Sequence, residues 1–344
     1  MTLTKRLRKS AFLSLWSSLM ILMAMMLMNS PVAAQDTAPK VGQAGMAWLN
    51  MPQGARAAGM GNAFTSVADD ASSFFWNPAG YAFTTGGTVF ANHTQWIADI
   101  NTSSAAVSYD LGQAGVVGLN AIAVDWGTLH GTTRSDVAEQ GFDETGTFSP
   151  VSSSIGASYA YRVSGEFGLG VNVKYLYEKL GTTLTGEFDN PNEVTAKLNL
   201  LAIDFGTIYY LGFRDLRMAV SLRNFSTEEE YRVETFPLPM TFRFGMAMNL
   251  VELFARESNQ SFTLSTDFIH SRDYSERLNI GAEYGFGDLF FLRGGYKFNY
   301  DNESFSAGAG VKAEVAGIHL RADYAFLQME YFNAVNMLTI DFGF

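Results

Sequence analysis

From residue 87 to the terminal Phe344, apolar side chains recur at every second position, and no apolar run in that span approaches the length of a membrane helix. A period of two marks strands whose two faces meet different surroundings. The last nine residues, NMLTIDFGF, put Leu338, Ile340, Phe342 and Phe344 on one face and Thr339, Asp341 and Gly343 on the other. The stretches IHLRADYAF, FSAGAGVKAEV, FFLRGGYKFNY and FGLGVNVKYLY repeat the pattern and keep their charges to one side.

A soluble sandwich alternates in the same way, so the period leaves the direction of the faces open. Three features turn the reading toward a membrane. The candidate strands run to about 9–13 residues, longer than the usual 5 or 6 and long enough for a tilted crossing. Large apolar and aromatic residues persist along nearly every strand, as a lipid-facing band requires, and aromatics make up 14% of the chain. The chain also ends in Phe344 on the apolar face, as does the terminal strand that barrel-assembly machinery recognises in bacterial outer-membrane proteins.

Lipid leaves only helices and closed barrels with satisfied backbones. The fold expected is therefore an all-β membrane protein, an antiparallel up-and-down transmembrane β-barrel of fourteen strands. Short connections alternate with longer ones at 128–151, 181–195 and 226–238, matching short periplasmic turns and long external loops. The connection 251–260 is long where a short turn is due, which calls for a short helix or a strand extension. In LLAIDFGTIYY neither face is purely apolar, and Asp204 interrupts the run.

The first 34 residues carry a basic cluster (Lys5, Arg6, Arg8, Lys9), a Met- and Leu-rich run from Ala11 to Met28, and then Pro31-Val32-Ala33-Ala34. This is the make-up of a signal peptide cleaved after Ala34; a retained transmembrane helix is the alternative, interrupted by Ser14, Ser17 and Ser18. The organisation expected is a signal peptide at 1–34, a plug or hatch segment at 35–86 and a barrel at 87–344. Removing four basic and no acidic residues takes the formal charge from −11 to −15, which argues against nucleic acid as a partner. Without cysteine there are no disulfides, thiolate metal sites or cysteine nucleophile. His93, His130, His270 and His319 are scattered.

The segment GARAAGMGNAFTSVADDASSFFWNPAG precedes the first strand and cannot span a membrane. A ring of fourteen strands is wider than side chains alone fill, so the interior is where it belongs. Gly54, Gly59 and Gly61, with the alanines beside Arg56, allow close backbone packing, and Asp69, Asp70 and Asn77 are placed to pair with lumen-facing Arg or Lys. GMGNAF lacks the third glycine and the preceding strand of a dinucleotide fingerprint. Asp69 and Asp70 lack further acids at calcium-ligand spacing, so one of them reads as a helix N-cap for ASSFF or as a salt-bridge partner. In Trp76-Asn77-Pro78-Ala79-Gly80, Pro78 stops a helix and Gly80 turns the chain into the first strand; a gating hinge is the sharper alternative.

The inward ionisable residues expected are Lys174, Arg217, Arg223, Arg243, Asp267, Glu283, Arg293, Lys297, Lys312, Glu314, Arg321, Asp323 and Asp341. Both signs are present, so a cross-strand salt-bridge network is the plain reading and a selective pore the sharper one. STEEEYRVETFPLP is an acidic external loop that solvent or a partner protein could cover. No HExxH, GxSxG or other catalytic constellation is found; no catalytic residue, cofactor or metal site is expected.

GARAAGMGNAFTSVADDASSFFWNPAGYAF resembles the N-terminal signature of FadL-like outer-membrane barrels and, more closely, of the PorV/PorQ family. HTQWIADI at 93–100 and LRGGYKFNYDNESFSAGAGVKAE followed by LRADYAF extend the likeness over essentially all of the mature chain. The resemblance implies a fourteen-strand barrel with an N-terminal plug in the outer membrane of a Gram-negative-type bacterium. For function it implies a non-catalytic accessory in type IX-like secretion or surface attachment, with C-terminal domains of exported proteins and the secretion or attachment machinery as partners. The other reading is a FadL-like transporter of hydrophobic small molecules, opening laterally where a glycine-rich strand pairs weakly.

Overall fold

The computed structural model describes residues 42–344 except 188–189, 231–234 and 255–258. The expected signal peptide, its cleavage point and residues 35–41 lie outside the described residues. Fourteen strands form one closed antiparallel barrel. They are β1 (Gly87–Gln95), β2 (Asn101–Asp110), β3 (Val116–Asp125), β4 (Val151–Arg162), β5 (Phe167–Glu187), β6 (Asn190–Tyr210) and β7 (Arg217–Phe225). There follow β8 (Thr241–Asn249), β9 (Gln260–Ser271), β10 (Arg277–Phe286), β11 (Phe290–Phe298), β12 (Glu303–Val315), β13 (Ile318–Met329) and β14 (Val335–Gly343). Each strand pairs with its sequence neighbour, and β14 closes on β1 from Thr88 opposite Gly343 to Gln95 opposite Asn336.

Closure leaves the barrel itself no free sheet edge, as lipid demands. Leu292 is 63% exposed while its neighbour Arg293 is 5% exposed, so the apolar face points out and the charged face in. Asp204, which interrupts the apolar run of β6, follows the same rule: it is buried inward and pairs with Lys174 of β5 at 2.8 Å. Among the described residues no helix is long and apolar enough to cross a membrane.

Three connections depart from the expected loops. The stretches 181–187 and 190–195 belong to β5 and β6, which pair from Phe167 opposite Tyr209 to Glu187 opposite Asn190. The β-branched Thr182, Val194 and Thr195 favour the strand conformation in this hairpin. Residues 128–151 hold a separate hairpin, Leu129–Arg134 with Phe142–Phe148, and 226–238 hold a two-residue ladder, Glu229–Glu230 with Thr235–Phe236. The connection after β8 begins with a 3-10 helix, Leu250–Leu253, capped by the Asn249 side chain accepting from the Val251 N–H, as its length required.

Residues 43–86 cross the barrel from end to end. At the end with the long connections, the Gly45 N–H donates to the Pro237 carbonyl at 3.0 Å. At the short-turn end, Gly87 and Phe344 exchange backbone hydrogen bonds of 2.8 and 2.9 Å. Between these points lie a 3-10 turn (Ala47–Asn50), the one-turn helix α1 (Ala55–Gly59) and two more 3-10 turns, Ala71–Phe75 and Pro78–Phe83. Residues 52–68 and 71–82 of this stretch are all buried, and Trp48, Phe64, Phe74, Trp76 and Tyr81 are among the most completely buried side chains. They form the apolar core together with inward residues such as Phe90, Ile122, Leu176 and Leu200.

Candidate functional site

The site is the contact between this N-terminal segment and the inner wall. Alanine favours the helix at α1, and Gly54 (φ +93) and Gly61 (φ +63) supply the left-handed conformations at its two ends. The helix is seated by the Thr339 hydroxyl, which accepts from the Ala55 N–H at 2.8 Å, and by Ser306, whose hydroxyl accepts from the Gly61 N–H at 2.9 Å.

Inward glycines let the two backbones meet. A Cβ on Gly295 would lie 2.1 Å from the Gly61 nitrogen, one on Gly281 would lie 2.3 Å from the Met60 carbonyl oxygen, and one on Gly59 would lie 3.1 Å from the Gly308 Cα. On the opposite wall, a Cβ on Gly170 would lie 2.3 Å from Pro78, and one on Gly206 only 1.9 Å from Asn77 Oδ1. Gly59 and Gly61 of GMGNAF lie against the wall, and the wall glycines Gly170, Gly206, Gly281 and Gly295 receive the segment.

Arg56, projecting from α1, is the centre of an ionic cluster. Its guanidinium donates through Nε and Nη2 to the two carboxylate oxygens of Glu283 (3.0 and 2.8 Å) and through Nη1 to Asp70 (2.9 Å) and Asp69. Glu283 Oε2 also accepts from Arg293 (2.6 Å) and Arg321 (3.3 Å), and both of these arginines pair with Asp323 at 2.8 and 2.9 Å. Burial alone would lower the Arg56 pKa, but Asp69, Glu283 and Asp70 hold it well above the usual arginine value. Asp70 caps the Ala71–Phe75 turn by accepting from the Ser72 N–H at 3.0 Å; its burial opposes ionisation, and Arg56 and Arg321 outweigh that, keeping its pKa below the ordinary range.

Two further anchors hold the segment. Asp267 of β9 accepts from the Phe64 and Thr65 N–H groups (3.2 and 3.1 Å) and from the Thr65 hydroxyl (2.5 Å). Arg243 donates to the Asn62 carbonyl at 3.2 Å, and with Arg223 it flanks the Trp76 ring at 5.2 and 5.7 Å. Trp76 itself is fixed by the Ser221 hydroxyl donating to its carbonyl and by its indole N–H donating to Gln53.

The expected residues are thus brought together, with corrections. Asp69 and Asp70 meet Arg56 of their own segment at close range, and the wall cation Arg217 approaches Asp69 only to 3.9 Å. Among the described residues Asn77 pairs with no Arg or Lys side chain; its amide donates to the Thr65 and Thr207 carbonyls (3.0 and 3.1 Å), the second of them on β6. Pro78 follows the end of the Ala71–Phe75 turn and also opens the next 3-10 helix, where Asn77 is the cap and proline suits the first position. Gly80 lies inside the turn, where a Cβ would fall 1.9 Å from the Ala68 carbonyl oxygen. Lys312 pairs with Asp288 at a turn, 2.7 Å away, and Glu314 pairs with His319 on the exposed rim.

A cavity of about 840 Å³ lies below the segment at the short-turn end, and its lining includes the charged residues Asp69, Asp215, Arg217 and Asp341. Among the described residues no group of His, Asp or Glu could hold a metal ion.

This architecture defines a class, the closed antiparallel β-barrels of the outer membrane in Gram-negative-type bacteria. A Pseudomonas aeruginosa FadL homologue shares the fold with a TM-score of 0.55 at 11% identity, over 85% of this chain and 98% of that one. The Ralstonia pickettii toluene transporter TbuX matches with a TM-score of 0.52 at 13% identity, over 84% and 96%. The chain belongs to the type IX secretion system membrane protein PorP/SprF family, whose model matches residues 142–328, and to an uncharacterised protein family (UPF0164), whose model matches residues 23–212. No curated protein matches the chain.

Proposed function

We propose that the protein is a non-catalytic accessory of type IX-like protein secretion or surface attachment, close to PorV/PorQ barrels in role, with the N-terminal segment as its plug. The observation that carries this reading is a filled interior in a chain of the PorP/SprF family: the apolar inward side chains are packed against Trp48, Phe64, Phe74 and Tyr81. A barrel that acts by binding needs no open route. C-terminal domains of exported proteins and the attachment machinery are the partners this reading calls for, outer-membrane lipid surrounds the barrel, and the barrel-assembly machinery inserts it.

Quantitative mass spectrometry of cell surface and medium, comparing a deletion strain with its parent, tests the proposal. Loss of a set of exported proteins that share a C-terminal domain is expected. An unchanged surface proteome together with reduced uptake of hydrophobic compounds would replace it with the transporter reading.

A further inference from the structure

The hairpin of β5 and β6 carries a graded set of side chains on its outward face. From the barrel wall toward the long-connection end, the facing pairs are Val173 with Ile203, Tyr175 with Leu201, Tyr177 with Asn199, Lys179 with Lys197 and Thr182 with Thr195. Val173, Tyr175 and Leu201 are exposed, as lipid-facing side chains are, and so are both lysines. The order is hydrocarbon, tyrosine, ammonium and then hydroxyl, with the two threonine hydroxyls 3.0 Å apart. At about 3.3 Å per residue and about 40° of tilt, the rise from Phe167 at the short-turn end to Lys179 is about 30 Å. An apolar band about 25 Å tall, edged by aromatic rings, ends just short of the lysines, which therefore stand level with the headgroups of the outer leaflet.

Like charges directly opposite across a strand pair repel, and this chain has carboxylates to spare, with 34 Asp and Glu against 23 Lys and Arg. Other cations outside the lumen take them: Arg134 meets Asp136, Arg272 meets Glu228 and Lys312 meets Asp288. Lys179 and Lys197 have neither an ion pair nor a hydrogen bond with any described residue. We propose that these two lysines together hold the phosphate of an outer-leaflet lipid, a phosphomonoester headgroup seated between their ammonium groups with its acyl chains over Tyr175 and Leu201. Opposed Cβ atoms in such a pair lie about 5 Å apart, so two flexible stems can bring both ammonium groups to one phosphate. A phosphomonoester carries a charge of about −1.5 to −2 at pH 7, which matches two cations. One row toward the membrane, Tyr177 and Asn199 add a phenol and an amide as further donors. The inference goes beyond the export reading, because it concerns the lipid around the barrel and stands whichever cargo the barrel serves.

The test is native mass spectrometry of the full mature barrel released from phosphatidylcholine nanodiscs into which phosphatidic acid with the same acyl chains is titrated as the phosphomonoester probe. Phosphatidic acid is expected to be retained in preference to phosphatidylcholine. Lys179→Gln combined with Lys197→Gln should lower its apparent affinity on the order of thirtyfold, about fivefold for each lysine. Should the double variant fail to fold, either single change decides the matter at about fivefold. Arg134→Gln, at an exposed cation on an outer hairpin, should leave retention unchanged. Inorganic phosphate should displace the lipid only in large excess, and displacement at equal concentration would assign the site to free phosphate and overturn the lipid reading. Equal retention of the two lipids, wild-type retention in the folded lysine variants, or an equal loss in Arg134→Gln overturns the proposal.

Discussion

Gly295 of β11 and Gly61 of the N-terminal segment stand backbone to backbone, so close that a Cβ on Gly295 would fall 2.1 Å from the Gly61 nitrogen. Its neighbour Gly294 points outward, with nothing within 4 Å of the place where a Cβ would sit. The pair makes an internal control. Gly295→Ala should lift the segment from the wall at a cost of about 1–3 kcal/mol, the usual range for overpacking, and raise ion conductance in planar bilayers. Gly294→Ala should conduct as wild type. Equal conductance in the two variants would show that this contact does not hold the segment.

Arg56 is buried among three carboxylates, and removing one partner of a buried ion pair costs about 3–5 kcal/mol. Glu283 keeps Arg293 and Arg321, so the wall half of the cluster survives the loss. Arg56→Ala is therefore expected to spare the heat-modifiable barrel on gels and to expose the segment to added protease. Arg134→Ala, at an exposed pair on an outer hairpin, should leave both the barrel and the protection of the segment as in the wild type.

The barrel was legible in the sequence because lipid imposes one rule on every strand: Leu292 must point out, so Arg293 must point in. The ionic cluster was legible only as a list of inward charges, since alternation gives a face and no partner across the lumen. Nothing in the residue order says that Arg56 reaches Glu283, 227 positions away. Thr339, Ser306 and Ser221 were missed as anchors because small hydroxyl residues on an inward face look like filler. The glycines gave a usable signal: Gly170, Gly206, Gly245, Gly281, Gly295 and Gly308 all fall on the charged face of their strands, where a wall with nothing against it has no need of them. At Pro78 only half of the role was legible, because proline ends one helix and begins the next with equal ease, and here it stands between two 3-10 turns.

Asn77 ties two stretches of the segment to the wall through a single amide, donating to Thr65 and Thr207 while accepting from the Ala79 N–H at 3.1 Å. Asn77→Ala leaves two buried carbonyls without this donor, at about 1–3 kcal/mol for each group left unsatisfied. A tether of this kind should give faster hydrogen exchange at Trp76–Phe83 with an unchanged barrel. If the residue were instead a gating hinge, the same variant would alter secretion or uptake while exchange stayed as in the wild type.

Asp70 sets how the clamp responds to acid. Its burial favours the neutral form, but Arg56 and then Arg321 outweigh that and lower its pKa in the folded protein. A carboxyl with a depressed folded pKa stabilises the fold fully above its unfolded pKa of about 3.9, and that contribution is lost as the pH falls through the folded value. The Asp70 contribution to seating the segment should therefore be constant from about pH 8 to pH 5 and decline only below about pH 4. Protease protection of the segment, followed across that range in wild type and in Asp70→Asn, is the measurement. The variant should start with weaker protection, since it has lost the charge that Arg56 meets, and should lack the part of the acid decline that belongs to Asp70. Identical acid profiles would mean that the carboxylate at position 70 contributes nothing to the hold on Arg56.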